Sequence, residues 1–123
     1  MKTVLVVDDD KMIVEFLSES LKKAGYEVAT AYGGKDGYAQ AVRLKPALMV
    51  LDLMMPDMHG FDVCQTVRAD RSLNSMKILI SSAKGYEVDK KAAKRLGADG
   101  YLNKPFSIEA FLGEVERLIG KPQ

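Results

Sequence analysis

Three acids stand where short apolar runs end. Asp8 and Asp9 follow Thr3-Val4-Leu5-Val6-Val7, and Asp52 follows Ala47-Leu48-Met49-Val50-Leu51. Strands buried in an open α/β sheet leave a crevice at their carboxyl ends, so acids distant in sequence can meet there. Carboxylates brought close raise one another's pKa unless a cation neutralises them, and a hydrated divalent ion of the Mg²⁺ kind is the natural occupant, with Mn²⁺ as the alternative. Lys104, just after the fifth strand and before Pro105, and Ser82, at the end of the fourth, bring an ammonium and a hydroxyl to the same sheet edge. A carboxylate nucleophile flanked by Mg²⁺, a lysine and a hydroxyl donor suits phosphoryl transfer, where catalysis is mostly positioning and neutralisation of charge on the equatorial oxygens. The predicted product is an aspartyl phosphate.

The elements that must position these groups are legible as an alternation of apolar runs and amphipathic segments, the signature of βαβ units. Strands are predicted near 3–7, 27–31, 47–51, 77–81 and 99–102. The first, third and fourth are apolar enough to be buried on both faces and therefore central. Met12, Ile13, Phe16, Leu17 and Leu21 form one helical stripe and Ile108, Phe111, Leu112, Val115 and Leu118 another, each predicted to pack on the sheet. Gly25, Gly97 and Gly120 follow basic last turns and mark helix ends, while Asp10 and Ser107 are predicted N-caps. The helices near 34–44 and 60–70 carry the least apolar pattern. Residues 1–120 read as one domain and 121–123 as a C-terminal tail or truncated linker.

At 123 residues the chain matches one domain, and such a domain buries roughly two-thirds of its unfolded surface. Its single cysteine, Cys64, excludes an intramolecular disulfide and suits a reducing compartment. No stretch has the length of a membrane span, and Met1-Lys2-Thr3 runs into a strand without a signal-peptide pattern, so a cytoplasmic location is expected. A net charge of +1 gives no global field of the kind that marks nucleic-acid or membrane binders.

Val4-Leu5-Val6-Val7-Asp8-Asp9, Leu51-Asp52-Leu53-Met54-Met55-Pro56 with Gly60, Ser82-Ala83, and Tyr101-Leu102-Asn103-Lys104-Pro105-Phe106 together resemble the receiver domain of two-component response regulators. The resemblance spans essentially the whole chain, with the motifs in order and at the right spacing. It implies a flavodoxin-like, doubly wound (βα)5 fold with a five-stranded parallel sheet of order 2-1-3-4-5. It implies that Asp52 accepts a phosphoryl group from the phosphohistidine of a sensor histidine kinase or histidine phosphotransfer protein. Asp9 and Asp52 would ligate Mg²⁺, Asp8 would do so largely through water, and the Met54 backbone carbonyl would complete the protein ligands. Lys104 and Ser82 would each hold a phosphoryl oxygen, drawing the Ser82 loop inward with Tyr101 turning in behind it. The face of the fourth helix, fifth strand and fifth helix would then signal to an output domain or partner, and is also where two copies could dimerise. A cis Lys104-Pro105 bond is implied as well.

Some residues depart from the commonest pattern or have plainer readings. Ser82 stands where threonine is more frequent, which keeps the hydroxyl. Met54, two residues past the acceptor, offers bulk without charge and is expected to shield the phosphate from water. Pro56 and Gly60 serve the loop into the third helix; His59 is read as exposed and uninvolved, and Cys64 as a small hydrophobe. Lys84, Lys90, Lys91, Lys94 and Arg95 around the fourth helix form either a solvated face or a positive docking surface. An aspartyl-nucleophile phosphatase would want a second acid where Met54 stands, and a flavodoxin-like binding module would want a Gly/Ser/Thr-rich phosphate loop after the first strand, where Asp8-Asp9-Asp10 would instead repel a phosphate; a pseudo-receiver interaction module is the remaining alternative. The chain is therefore expected to be a switch, with no turnover of an external substrate.

Overall fold

The computed structural model describes residues 2–83 and 87–123, the side chains of 87–89 excepted. Five strands, β1 (Thr3–Val7), β2 (Glu27–Ala31), β3 (Leu48–Asp52), β4 (Lys77–Ser82) and β5 (Gly100–Asn103), form one parallel sheet of order β2-β1-β3-β4-β5. Between and after them run α1 (Lys11–Ala24), α2 (Gly34–Leu44), α3 (Gly60–Ala69), α4 (Glu87–Arg95) and α5 (Ile108–Ile119), with one 3-10 turn at Arg71–Leu73. The flavodoxin-like arrangement and the strand order are those expected. β3, β4 and β5 reach one residue further than their predicted runs, so Asp52 and Ser82 are the last residues of their strands rather than the first beyond them.

Alternation along the central strands builds two cores. Val4 and Val6 of β1, Leu48 and Val50 of β3 and Leu79 of β4 face one cluster that includes Leu17, Leu21, Phe111 and Val115 of α1 and α5. Leu5, Val7, Met49, Leu51, Ile78 and Ile80 face the other, with Val63 and Val67 of α3. Burying each such side chain contributes about 1.5–3 kcal/mol, so a strand apolar on both faces is held from both sides.

The caps fall where predicted. Asp10 accepts from the Met12 and Ile13 amides, Ser107 accepts from that of Ala110, and Gly25, Gly97 and Gly120 lie at positive φ. α2 shows why its pattern is thin: its buried residues are Gly34, Gly37 and Ala41, and a side chain on Gly37 would meet Val7 at 2.8 Å. It packs by closeness rather than bulk.

α1 corrects the sequence reading. Its buried face is Val14, Leu17, Ser18 and Leu21, while Met12 is 81% and Phe16 56% exposed. The i, i+3, i+4, i+7 spacing of those four fits one stripe, and a helix resting on a sheet buries only one. Apolarity led to Met12 and Phe16; geometry chose Ser18.

Candidate functional site

The register of the central strands makes the acid cluster. Val6 pairs with Val50 and Val7 with Leu51, so the next step along both strands places Asp8 beside Asp52. Both continue the alternation that points Val6 and Val50 toward α1 and α5. One oxygen each of Asp8, Asp9 and Asp52 lies within 4.8 Å of the others. Asp8 and Asp52 are 3% and 5% exposed and form the floor, while Asp9 is exposed at the rim. Asp8 Oδ1 also accepts from the Asp10 amide at 2.9 Å, which fixes its orientation. Asp10 is spent on capping α1.

Lys104 arrives from the far edge. Leu102 faces the α1 and α5 core, and two residues on the same alternation carries Lys104 to the side occupied by Asp8 and Asp52. Its Nζ donates to Asp8 Oδ2 at 2.9 Å and to Asp52 Oδ1 at 3.2 Å. Its backbone amide donates to the Ser82 carbonyl at 2.7 Å, tying the end of β4 to the turn that enters the cis Lys104-Pro105 bond.

The electrostatics follow from this crowding. Burial raises the Asp52 carboxyl above its ordinary pKa of 3.8, the charge of Asp8 raises it further, and Lys104 only partly opposes them. Burial works against the charge of Lys104, but the hydrogen bond and charge of Asp8, with the charge of Asp52, outweigh it and leave the ammonium above its ordinary value. Three acids thus face one ammonium, and an all-oxygen donor set with excess negative charge fits a hard divalent cation of the Mg²⁺ type. Asp8, Asp9 and Asp52 are the side chains that could hold it.

Around the cluster, Ser82 is fully buried at the end of β4 and Tyr101 is half-buried against the core cluster that contains Ile80 and Ala93. Met54 is 51% exposed just past Asp52, and Met55 is buried. Gly60 donates its N–H to the Leu53 carbonyl at 2.7 Å; a side chain there would come within 2.7 Å of the Leu53 Cα and 2.8 Å of the Asp52 carbonyl oxygen. Gly60 therefore lets the start of α3 close against the backbone of Asp52 and Leu53.

Other expectations sort as follows. His59 is not an idle surface residue: it is half-buried, and its Nδ1 accepts from the Phe61 amide at 3.1 Å as the N-cap of α3. A histidine is a rare cap, and no local signal distinguishes it. Cys64 is buried as predicted, and burial pushes its thiol pKa up. Lys91, Lys94 and Arg95 are exposed on α4 and Lys90 is half-buried; Lys84 lies outside the described residues. The sequence reading missed an apolar groove of about 410 Å³ beside the cluster, lined by Ile13, Phe16, Leu17, Ala83, Pro105 and Phe106 together with Lys104. Its signal was present, since Phe16 and Met12 exceed what one buried stripe can absorb.

Comparison with known proteins converges on one family. The family model of the response regulator receiver domain matches residues 4–116. The chain is 42% identical over 119 residues to the DNA-binding dual master transcriptional regulator RpaA of Synechocystis sp., covering 97% of this chain and 49% of that protein. It is 38% identical over 122 residues to the alkaline phosphatase synthesis transcriptional regulatory protein PhoP of Bacillus subtilis, covering 99% and 50%. The chain thus spans about half the length of these curated relatives. Among solved structures, the chemotaxis protein CheY4 of Vibrio cholerae superposes with a TM-score of 0.91 at 35% identity, over 96% of this chain and 98% of that one.

Proposed function

The chain belongs to the response regulator receiver domain family, and on that premise we propose that it is a phosphoacceptor switch in which Asp52 takes a phosphoryl group from a phosphohistidine. Domains of this family bind Mg²⁺ at an acidic pocket, interact with histidine kinases and output domains, and are generally not turnover enzymes. The observation that carries the assignment to Asp52 is its position: a buried carboxylate at the centre of the cluster, within hydrogen-bond reach of Lys104 and beside Asp8.

An Asp52 oxygen attacks phosphorus, the P–N bond to the donor imidazolium breaks as a P–O bond forms, and the P–N electron pair returns to that nitrogen, so the donor leaves as neutral imidazole keeping the proton on its other ring nitrogen. Bound Mg²⁺ supplies charge neutralisation on the phosphoryl oxygens. Asp9, Asp52 and the Met54 carbonyl would hold the metal, with Asp8 acting largely through water. Lys104 transfers its hydrogen bond from Asp52 to a phosphoryl oxygen, and the Ser82 hydroxyl takes another. Because the Lys104 amide is bonded to the Ser82 carbonyl, a pull on either group moves both strand ends, and Tyr101 on β5 follows. The face of α4, β5 and α5 then presents the signal to an output domain or partner, or pairs with a second copy.

The donor is a sensor histidine kinase or a histidine phosphotransfer protein acting in the cytoplasm, and Met12, Phe16 and the groove beside Lys104 offer an apolar footing for the helix that carries its histidine. The two curated relatives are named as transcriptional regulators, so a transcriptional output is the class to test first. The described residues contain no helix long and apolar enough to cross a membrane.

The test is intact mass after incubation with Mg²⁺ and acetyl phosphate, with Asp52→Asn as control. Gain of one phosphoryl group by the unaltered chain only, abolished by chelator, is expected. No gain under conditions that load a known receiver would replace this reading with a pseudo-receiver that works by contact alone.

A further inference from the structure

Asp57 lies on the loop between β3 and α3, three residues past Met54. Its side chain leaves its own loop and caps another element. Oδ1 accepts from the Gly34 amide at 3.0 Å and Oδ2 from the Lys35 amide at 3.2 Å, at the amino end of α2. The residue at the N-cap position of α2 is Gly33, which has no side chain to do this, so the helix takes its cap from a distant loop. The space is built for the contact. A side chain on Gly33 would stand 3.0 Å from both Asp57 oxygens, and one on Gly34 would meet Val63 at 2.7 Å and Met58 at 2.8 Å. These two amides hold the Asp57 carboxyl below its ordinary pKa, as bonds to the charged form do.

The loop so held is the one that follows Asp52. At its base Gly60 donates to the Leu53 carbonyl at 2.7 Å. Between that closure and Asp57 lies Met54, its side chain exposed to solvent. A backbone carbonyl in such a loop offers a ligand at a defined place only if something packed fixes the loop, and α2 is packed on the sheet, with Gly37 close against Val7 and Ala41 in the core.

We propose that Asp57 is a positioning residue for the acid pocket, clamping the β3–α3 loop to α2 so that the backbone at Met54 is set for the divalent cation. The inference rests on the functional reading above, which gives the Met54 carbonyl to the metal. Groups that orient a metal's ligands commonly change affinity by tenfold or more when lost.

The experiment is calorimetric titration of the full chain with Mg²⁺, paired with thermal melts followed by circular dichroism. Asp57→Ala is expected to raise the Mg²⁺ Kd about tenfold, and Asp57→Asn, which keeps one acceptor oxygen, to raise it less. The effect should persist in about 0.5 M KCl, because displacement of a ligand is not screened whereas loss of a distant exposed charge is. Gly33→Ala, which presses on the carboxylate without touching any acid, should raise the Kd modestly, and adding it to Asp57→Ala should cost nothing more. This variant also keeps the test open should Asp57→Ala fail to fold.

A lowered Tm with an unchanged Mg²⁺ Kd would reduce Asp57 to a helix cap and overturn the proposal, as would a Kd shift that vanishes in KCl. An unaltered chain that binds no Mg²⁺ would overturn the functional reading as well; an unaltered chain that binds it, with Asp57→Ala binding equally, would overturn this inference alone.

Discussion

Lys104 Nζ lies 3.2 Å from Asp52 Oδ1, yet the carboxyl of Asp52 is still held above its ordinary pKa. Burial is the largest cause and the neighbouring charge of Asp8 the next, so one ammonium shared between two acids does not balance the pocket. The folded chain therefore binds the Asp52 proton to higher pH than the unfolded chain does. Stability linked to Asp52 is greatest at low pH and falls as pH rises from the unfolded value near 3.8 through the raised folded one. In chelator at pH 7, Asp52→Asn is expected to raise Tm by a few °C, the scale of about 1 kcal/mol in a domain of this size. The gain should shrink below pH 4 and in saturating Mg²⁺. Melts of the two proteins at both pH values decide it; a variant no more stable at pH 7 would mean that Lys104 offsets the burial completely.

The same ammonium would compete with a cation for Asp8 and Asp52. Removing it in Lys104→Ala is expected to tighten Mg²⁺ binding several-fold. With chelator the variant should lose about 1–3 kcal/mol, because two buried carboxylates are left facing each other. Adding Mg²⁺ should restore most of that loss. Titration calorimetry and melts with and without the ion give both signs, and weaker Mg²⁺ binding in the variant would contradict the competition.

Gly60→Ala tests how closely α3 must approach the backbone of Asp52. The added methyl would meet the Leu53 Cα at 2.7 Å and the Asp52 carbonyl oxygen at 2.8 Å, and neither is the free end of a flexible side chain. Relief requires the loop to open at the Gly60–Leu53 hydrogen bond. A loss of about 2–3 kcal/mol in urea unfolding is expected, in the range of overpacked cores. A change under about 0.5 kcal/mol, the ordinary scatter of surface substitutions, would show that the backbone yields cheaply.

How far the sequence could be read depended on which force set each feature. Asp8, Asp9, Asp52 and Lys104 were legible because strand alternation and the chain's exit at the sheet edge are both dictated by burial, and apolar runs such as Val4–Val7 record burial directly. α5 was legible for the same reason, since Phe111 and Val115 are its buried residues. α2 was faint because its contact is made by glycine and alanine, which carry little hydrophobic signal. The α3 cap by His59 and the α2 cap by Asp57 were invisible: one uses an unusual acceptor and the other reaches across 23 positions in sequence. On α1, counting apolar residues put Met12 and Phe16 in the core where position around the helix puts Ser18.

That exchange leaves a measurable cost. Ser18 is buried on the inner face of α1, and its hydroxyl has no hydrogen-bond partner among the described residues. A buried hydroxyl without a partner costs about 1–3 kcal/mol, and alanine is also the better helix former. Ser18→Ala is expected to stabilise the chain by about 1 kcal/mol in denaturant unfolding. Destabilisation instead would indicate that the hydroxyl holds a water in the core.

If Asp52 is phosphorylated as proposed, Met54 is expected to lengthen the life of the phosphoryl group. Two residues past Asp52, its side chain is 51% exposed and carries neither charge nor a strong hydrogen-bonding group. On the function proposed above, a thioether there would exclude water from the approach to an aspartyl phosphate without orienting it. Asparagine or glutamate would instead hold a water by hydrogen bonding, and a positioned polar group can speed such a step by 10²-fold or more, so a roughly tenfold faster loss is a moderate expectation at an exposed site. Met54→Asn and Met54→Glu, loaded with acetyl phosphate and followed by intact mass after the donor is removed, should lose the phosphoryl group faster than the unaltered chain. Met54→Leu, which keeps the bulk and the apolarity, should not. If all three lost it at the unaltered rate, water access would be governed elsewhere in the pocket, and the exposed methionine would be free to serve the partner's docking instead.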